Sequence, residues 1–99
     1  MKTGIELITE ERQRQIDIEG WTSEHDDFEH PNSELAIAGA CYALPDSLRK
    51  LYKDHDLGFE PAFWPWDFGW WKPTPKDRVR ELAKAGALIA AEIDRLQRT

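Results

Sequence analysis

Residues 75–97, PKDRVRELAKAGALIAAEIDRLQ, repeat an apolar or small side chain every three or four positions. Five residues form one apolar seam with spacings of 4, 3, 4 and 3: Leu82, Gly86, Ile89, Ile93 and Leu96. Such a seam is typical of an amphipathic α-helix that packs along another helix. The residues Thr74, Pro75 and Asp77 are of the types preferred at a helix start. The sequence therefore predicts a helix over about 75–97, with Thr74 as its N-cap.

The sequence predicts two further helices that could pack against this one. Thr3 and Glu6 have the spacing of a capping box, so we expect a first helix at about 4–19. Residues 33–44, SELAIAGACYAL, predict a buried central helix capped by Asn32 or Ser33. Its small side chains lie on one stripe, which would let another helix approach closely. The alanine face of the last helix could meet this stripe or pack against a second subunit.

A third, shorter helix is expected after Pro45. The stretch SLRKLYKD has an amphipathic pattern that turns three side chains inward: Leu48, Leu51 and Tyr52.

Two segments lack a helical period. Residues 21–32, WTSEHDDFEHPN, are rich in turn formers, and residues 55–73 are interrupted by prolines and glycines. We expect both segments to be loops. The predicted fold is a single all-α domain, residues 1–99, with three to four helices and a long aromatic, proline-rich loop between the third and last helix.

Composition and charge exclude several classes of partner. The chain has 40% hydrophobic and 32% charged residues, and its formal net charge is -6. We expect no membrane span, since no apolar run approaches the roughly 18 residues required. The acidic balance argues against binding a nucleic-acid polymer, which needs a broad basic surface. The charged start of the chain and the single Cys41, expected to be a buried and inert thiol, indicate a cytoplasmic protein.

The aromatic loop carries the first candidate site. Residues 61–73, PAFWPWDFGWWKP, contain four of the five tryptophans, and residues 72–84 hold five basic against two acidic side chains. Tryptophan stacks on nucleobases, and a helix start beside cations favours phosphate. We therefore expect a small phosphorylated nucleotide to bind these residues: Trp64, Trp66, Trp70, Trp71, Lys72, Lys76, Arg78 and Lys84. The same tryptophans are also typical of a small hydrophobic core, and that alternative stays open.

The acidic loop at 21–32 carries the second candidate site. Its imidazoles and carboxylates, with Glu34 just beyond, could hold a divalent metal ion. The candidate ligands are His25, Asp27, His30 and Glu34, with Asp26 as a candidate general base. These acidic residues also suit turns and helix ends, so a purely structural role is the alternative.

Four segments together resemble a family of short accessory proteins of tailed bacteriophages and prophages. They are ERQRQIDIEGWTSEHDDFEH, ELAIAGACYAL, WPWDFGWWKP and KAGALIAAEIDRL, and they cover nearly the whole chain. The resemblance implies a viral setting in the cytoplasm of an infected bacterium. By analogy with phage proteins that counter bacterial defence, it suggests a sponge for cyclic or ADP-ribose-type second messengers.

Three functions are compatible with these patterns. We favour a non-enzymatic binder of a phosphorylated nucleotide that needs no cofactor. The alternatives are a metal-dependent nucleotide phosphohydrolase that uses the acidic loop, and an inhibitor that binds a host protein through its tryptophans. The small-residue faces and modest core also predict a homo-oligomer.

Overall fold

The computed structural model describes residues 1–49 and 63–98, and the predicted all-α class is confirmed. Within those ranges the chain forms five α-helices: α1 (Gly4–Asp17), α2 (Ser23–Glu29), α3 (Glu34–Ala43), α4 (Asp46–Arg49) and α5 (Arg78–Gln97). Residues 63–77, which we call the tryptophan segment, are irregular except for a short 3-10 helix at Phe68–Trp70. None of the helices described is both long enough and apolar enough to span a membrane.

The start of α1 follows the predicted capping box. The Thr3 hydroxyl accepts a hydrogen bond from the Glu6 amide at 3.2 Å, and the Glu6 carboxylate accepts one from the Thr3 amide at 2.9 Å. The second bond lowers the pKa of Glu6. After α1, Gly20 has a φ of 74°, which lies in the left-handed region that favours glycine.

The prediction of a loop at 21–32 is wrong, because α2 lies within this segment. Thr22 caps this helix by accepting a hydrogen bond from the His25 amide, and the helix ends before Pro31. Seven residues with no apolar period are not stable as a helix alone. Tertiary contacts stabilise it: the buried Asp26 accepts a hydrogen bond from Arg12 of α1 at 3.0 Å.

The core is built where α3 packs on α5. Leu35 and Cys41 of α3 have no exposed surface, and Leu88 of α5 is buried against the same cluster. Gly39 allows the close approach, since a Cβ there would lie 3.2 Å from the carbonyl oxygen of Ala85. The prediction of a buried central helix with a buried cysteine is confirmed, and burial raises the pKa of the Cys41 thiol to about 12.

The last helix begins later than predicted. Asp77, not Thr74, is the N-cap of α5, and its side chain accepts a hydrogen bond from the Arg80 amide at 3.2 Å. Thr74 does not cap α5, because it lies in a turn before the helix, in which the Asp77 amide donates to the Thr74 carbonyl at 2.8 Å. The Thr74 amide itself donates to Glu81 at 2.9 Å.

Large apolar side chains are exposed in two helices. The seam residues Leu82, Ile89 and Ile93 of α5 are 48%, 43% and 51% exposed. Leu48 of α4, predicted to face inward, is 41% exposed. The other inward positions predicted for that helix, 51 and 52, lie outside the described residues, as do positions 55–62 of the predicted aromatic loop.

Glu81 joins three parts of the chain although its side chain has no exposed surface. Its carboxylate accepts hydrogen bonds from Arg49 of α4 at 3.1 Å, from Arg78 at 3.2 Å and from the Thr74 amide at 2.9 Å. Arg49 is itself 3% exposed. Because a buried carboxylate is tolerated only when paired and hydrogen-bonded, these donors fix the tryptophan segment and α4 on α5.

Arg78 extends this network to the end of α3. Its guanidinium donates to the carbonyls of Tyr42 at 2.8 Å and Leu44 at 3.1 Å, and to that of Ala43. Carbonyls of the last helical turn have no partner within the helix, so Arg78 satisfies them.

Replacing Glu81 by alanine should lower the free energy of unfolding by about 3 kcal/mol, because the buried Arg49 loses its buried carboxylate partner and is left with the exposed Asp46, 3.7 Å away. Urea denaturation followed by circular dichroism measures this change. The matched control is Asp94→Ala, at an exposed position of the same helix, for which we expect little change. Equal denaturation midpoints for the two variants would contradict the role assigned to Glu81.

Candidate functional site

Two adjoining cavities lie beside the tryptophan segment, and Trp21, Trp66 and Trp70 line both of them. The first, which we call the cationic cavity, has a volume of about 240 Å³. The second, the histidine cavity, has a volume of about 350 Å³. The shared tryptophans make one aromatic wall with a different chemistry on each side.

Edge-to-face contacts hold the aromatic wall. The ring centroid of Trp66 lies 5.2 Å from that of Trp21 and 5.3 Å from that of Trp64, and both pairs are T-shaped. The Trp64 indole donates to the carbonyl of Asp67 at 3.1 Å. Trp64 and Trp71 are each 9% exposed, whereas Trp70 is 48% exposed. Trp64 and Trp71 therefore belong to the hydrophobic core, whereas Trp70 offers an open face on which a ligand can stack.

Three cations line or flank the first cavity without a carboxylate partner in the described part of the chain: Lys72, Arg80 and Lys84. The Lys72 ammonium lies 5.6 Å from the centroid of the Trp70 ring. The Lys84 ammonium donates to the Lys72 carbonyl at 2.8 Å and lies 5.4 Å from the centroid of Tyr42. Burial, together with the positive charge of Arg80, lowers the pKa of Lys84. An anion at this point would stabilise its charged form.

The carboxylates of the cationic cavity are already paired. Arg14 lies 2.7 Å from Glu11 and 3.4 Å from Glu19, and these contacts raise the pKa of Arg14. Glu11 and Glu19 share the single charge of Arg14, so the lining holds four cations (Arg14, Lys72, Arg80 and Lys84) against two carboxylates, a formal charge of +2. The cavity therefore has a positive excess in a chain whose net charge is -6.

Five of the eight predicted ligand residues line this cavity: Trp64, Trp66, Trp70, Lys72 and Lys84. The other three do not. Trp71 packs on Tyr42 and under Arg49, whose guanidinium carbon lies 5.3 Å from the Trp71 ring centroid. Arg78 binds carbonyls of α3, and Lys76 is exposed in the turn before α5.

The sequence interpretation missed Gln15 of α1, which lines the cationic cavity and is 3% exposed. Its side-chain oxygen has no hydrogen-bond donor among residues 1–49 and 63–98. A buried acceptor without a donor costs free energy, so this oxygen suits a ligand N–H group. A glutamine inside a charged helical stretch carries no sequence signal of this placement.

A compact group of metal-ligating atoms adjoins the histidine cavity, which His25 and His30 line. Nδ1 of His30 lies 3.2 Å from Oδ1 of Asp26, and Nδ1 of His25 lies 3.7 Å from the same oxygen. One ligand atom from each of the three residues lies within 4.8 Å of the others. Nδ1 of His25 is buried and has no hydrogen-bond partner in the described ranges. We call these residues the His25–Asp26–His30 cluster.

Two of the predicted metal ligands lie outside this cluster. Asp27 accepts hydrogen bonds from Arg98, the residue that follows α5, at 2.7 and 3.1 Å, and this contact lowers the pKa of Asp27. Glu34 accepts a hydrogen bond from the Asn32 amide at 2.6 Å. Asp26, predicted as a base, instead faces His30, because residues four apart share a face of α2. Recognising α2 as a helix would have supplied this signal.

Replacing Trp70 by phenylalanine should remove most of the tryptophan fluorescence that acrylamide quenches readily, because Trp70 has the most open ring of the five. The control is Trp71→Phe, which removes a ring that is 9% exposed and should leave the readily quenched fraction unchanged or larger. Equal loss in both variants would contradict the arrangement of the aromatic wall.

The arrangement provides an open aromatic face, three cations and an unsatisfied acceptor on one side, and two imidazoles with a carboxylate on the other. The first set can bind an aromatic anion, and the second can ligate a metal ion. Comparison of the chain with known proteins finds no matching family model, no matching curated protein and no matching solved structure.

Proposed function

We propose that this protein is a non-enzymatic binder of a small phosphorylated nucleotide. One observation carries the proposal: the open face of Trp70 lies beside Lys72, Arg80 and Lys84, three cations that form no ion pair with a described carboxylate. An aromatic surface next to an excess of positive charge suits a ligand that is both planar and anionic.

The base is expected to stack on Trp70 and Trp66. Stacking on an aromatic side chain contributes roughly 1–3 kcal/mol per base. The unsatisfied oxygen of Gln15 would accept a hydrogen bond from an amino or imino group of the ligand. This contact would favour ligands with an N–H donor over those without one, because a buried acceptor left unpaired is costly.

The phosphate is expected to bind Lys84, Lys72 and Arg80. Hydrogen bonds between a cation and a phosphate are stronger than neutral ones. Lys84 is the most buried of these cations, and burial lowers its pKa, so it gains most from an anion. The cationic cavity, at about 240 Å³, is smaller than typical ligand pockets of roughly 300–1,000 Å³. A nucleotide would therefore extend along the aromatic wall into the histidine cavity.

The biological setting is part of the same proposal. The resemblance to phage and prophage accessory proteins supports sequestration of a cyclic or ADP-ribose-type immune messenger in the cytoplasm of an infected bacterium. Such a sponge needs tight, reversible binding and no turnover, which fits a cavity built from stacking and charge.

The test is isothermal titration of the purified protein with mononucleotides, cyclic dinucleotides and ADP-ribose. For the ligand that binds, Lys84→Met and Lys72→Ala should each weaken binding about tenfold to a hundredfold, the range expected for hydrogen bonds to charged groups of about 1.5–3 kcal/mol. The matched control is Lys76→Ala, whose lysine is exposed outside both cavities. Its affinity should equal that of the wild type.

Two results would overturn the proposal. One is equal loss of affinity in Lys76→Ala and Lys84→Met, which would mean that the charge of the region and not the cavity binds the ligand. The other is a panel that shows no binding, which would favour the protein-inhibitor alternative with Trp70 as an interface anchor.

A second candidate function is metal-dependent hydrolysis of a nucleotide phosphoester. It is favoured by Nδ1 of His25 in the His25–Asp26–His30 cluster, a buried atom that makes no hydrogen bond within the described residues. The ligand type suits a zinc or manganese ion. A metal ion there would polarise a phosphoryl oxygen or activate water. Glu29 and Asp67 line the same cavity and provide carboxylates for proton transfer.

His25→Ala should abolish binding of Zn²⁺ or Mn²⁺ measured by calorimetry, together with any metal-dependent turnover of the panel. Asp27→Asn is the control, because Asp27 pairs with Arg98 outside the cluster. Metal affinity that is unchanged in His25→Ala, or lost equally in Asp27→Asn, would exclude the cluster as the metal site.

A further inference from the structure

Helix α5 directs its apolar seam away from the domain and its charged residues toward it. Val79, Leu82 and Ile93 are 61%, 48% and 51% exposed. On the opposite side, four charged residues are buried: Glu81, Lys84, Glu92 and Arg95. The same side also buries Ala85, Leu88 and Ala91, so α5 has apolar side chains on two sides, whereas a helix that packs only against its own domain has one apolar stripe that faces the core.

Helix α1 makes the exposed seam continuous. Gly86 interrupts the row of large side chains, and Ile8 of α1 fills that position: a Cβ on Gly86 would lie 2.5 Å from Cδ1 of Ile8. Beside it, an apolar groove of about 180 Å³ lies between Leu7 and Ile8 of α1 and Val79 and Leu82 of α5. We call this two-helix surface the α1–α5 face.

We propose that the α1–α5 face binds a second copy of this chain, with the two α5 helices antiparallel. The proposal does not rest on nucleotide binding, because the cationic cavity uses the other side of α5, where Lys84 and Leu88 lie.

The size of the face suits a dimer. From Val79 to Leu96 it is roughly 26 Å long, and two adjacent helices make it roughly 20 Å wide. A stable protein interface buries about 800 Å² per partner, with an apolar centre and a polar rim. Contiguous apolar surface on this scale marks interaction sites on soluble proteins.

The seam is complementary to itself when one helix is turned end for end. With Val79 added, its spacings are 3, 4, 3, 4 and 3, which are symmetric about the midpoint of residues 87 and 88. In the antiparallel register Leu82 would therefore lie opposite Ile93, and Val79 opposite Leu96. Ile8 of the same chain already fills the space at Gly86, so Ile89 of the second copy would pack on Ile8.

Charge also favours a second copy over an anionic surface. The positions that flank the seam include Ala83 and Ala90, which are uncharged and allow close approach. A net charge of -6 disfavours an anionic lipid surface as the occupant.

The oligomeric state of the full chain tests this proposal. Sedimentation equilibrium is measured at chain concentrations from roughly 10⁻⁵ to 10⁻⁴ M. At the upper end it should give twice the chain mass of 11.5 kDa. Ile89→Lys and Ile93→Lys should each raise the dimer dissociation constant at least tenfold, since each places a charge in the centre of the seam. The control is Phe28→Lys, which alters an apolar side chain that is 85% exposed on α2.

Circular dichroism confirms that each variant keeps its helical content, which exposed positions should permit. A wild-type protein that stays monomeric throughout the concentration range would overturn the proposal. So would a dimer that Phe28→Lys dissociates as strongly as Ile93→Lys does, because the interface would then lie on another surface.

Disulfide trapping tests the antiparallel register. Leu82→Cys mixed with Ile93→Cys should form a disulfide-linked pair under mild oxidation, whereas either variant alone should stay largely uncrosslinked. The native Cys41 does not interfere, because it has no exposed surface. Efficient crosslinking of each variant with itself, and not with the other, would mean a parallel pair and would overturn the proposed register.

Discussion

A fully buried carboxylate, that of Glu81, is the interaction on which the rest of the structure depends. Removing a charge from water costs several kcal/mol, so the site is stable only because Arg49, Arg78 and the Thr74 amide satisfy the carboxylate together. These donors come from different parts of the chain. Their common acceptor therefore determines where the tryptophan segment lies, and with it the position of the aromatic wall.

The direction of α5 connects this network with function. The face that carries Glu81 also carries Lys84, so the side of the helix that organises the domain supplies a cation to the cavity. The apolar seam consequently faces outward. A helix that buries charge within its own domain and exposes aliphatic side chains is unusual for a monomer, and a second copy would restore the expected burial.

Much of the fold could be predicted from local signals. The capping box at Thr3 and the apolar run at 33–44 specify helices through interactions within a few residues, and both helices are present. Local signals could not predict α2, because Asp26 and Arg12 stabilise it from different helices. They also could not predict the orientation of α5, since both of its faces carry side chains that a partner can bury.

The candidate site divides in the same way. The clustering of tryptophans beside lysines is visible in the sequence, and most of those residues line one cavity. The sequence does not show that Arg78 donates hydrogen bonds to carbonyls of α3, or that Gln15 of α1 lines the cavity. Those placements depend on how the helices cross, which no short motif encodes.

The Glu81 network holds the aromatic wall in place. The most direct test is the ¹⁵N–¹H spectrum of the five tryptophan indoles, compared between the wild type and Glu81→Gln, a substitution that keeps the shape of the side chain and removes its charge. The indole signals of Trp66 and Trp70, the wall residues of the tryptophan segment, should shift or broaden while the helical content stays unchanged. Indole signals that coincide in the two proteins would contradict this role of the network.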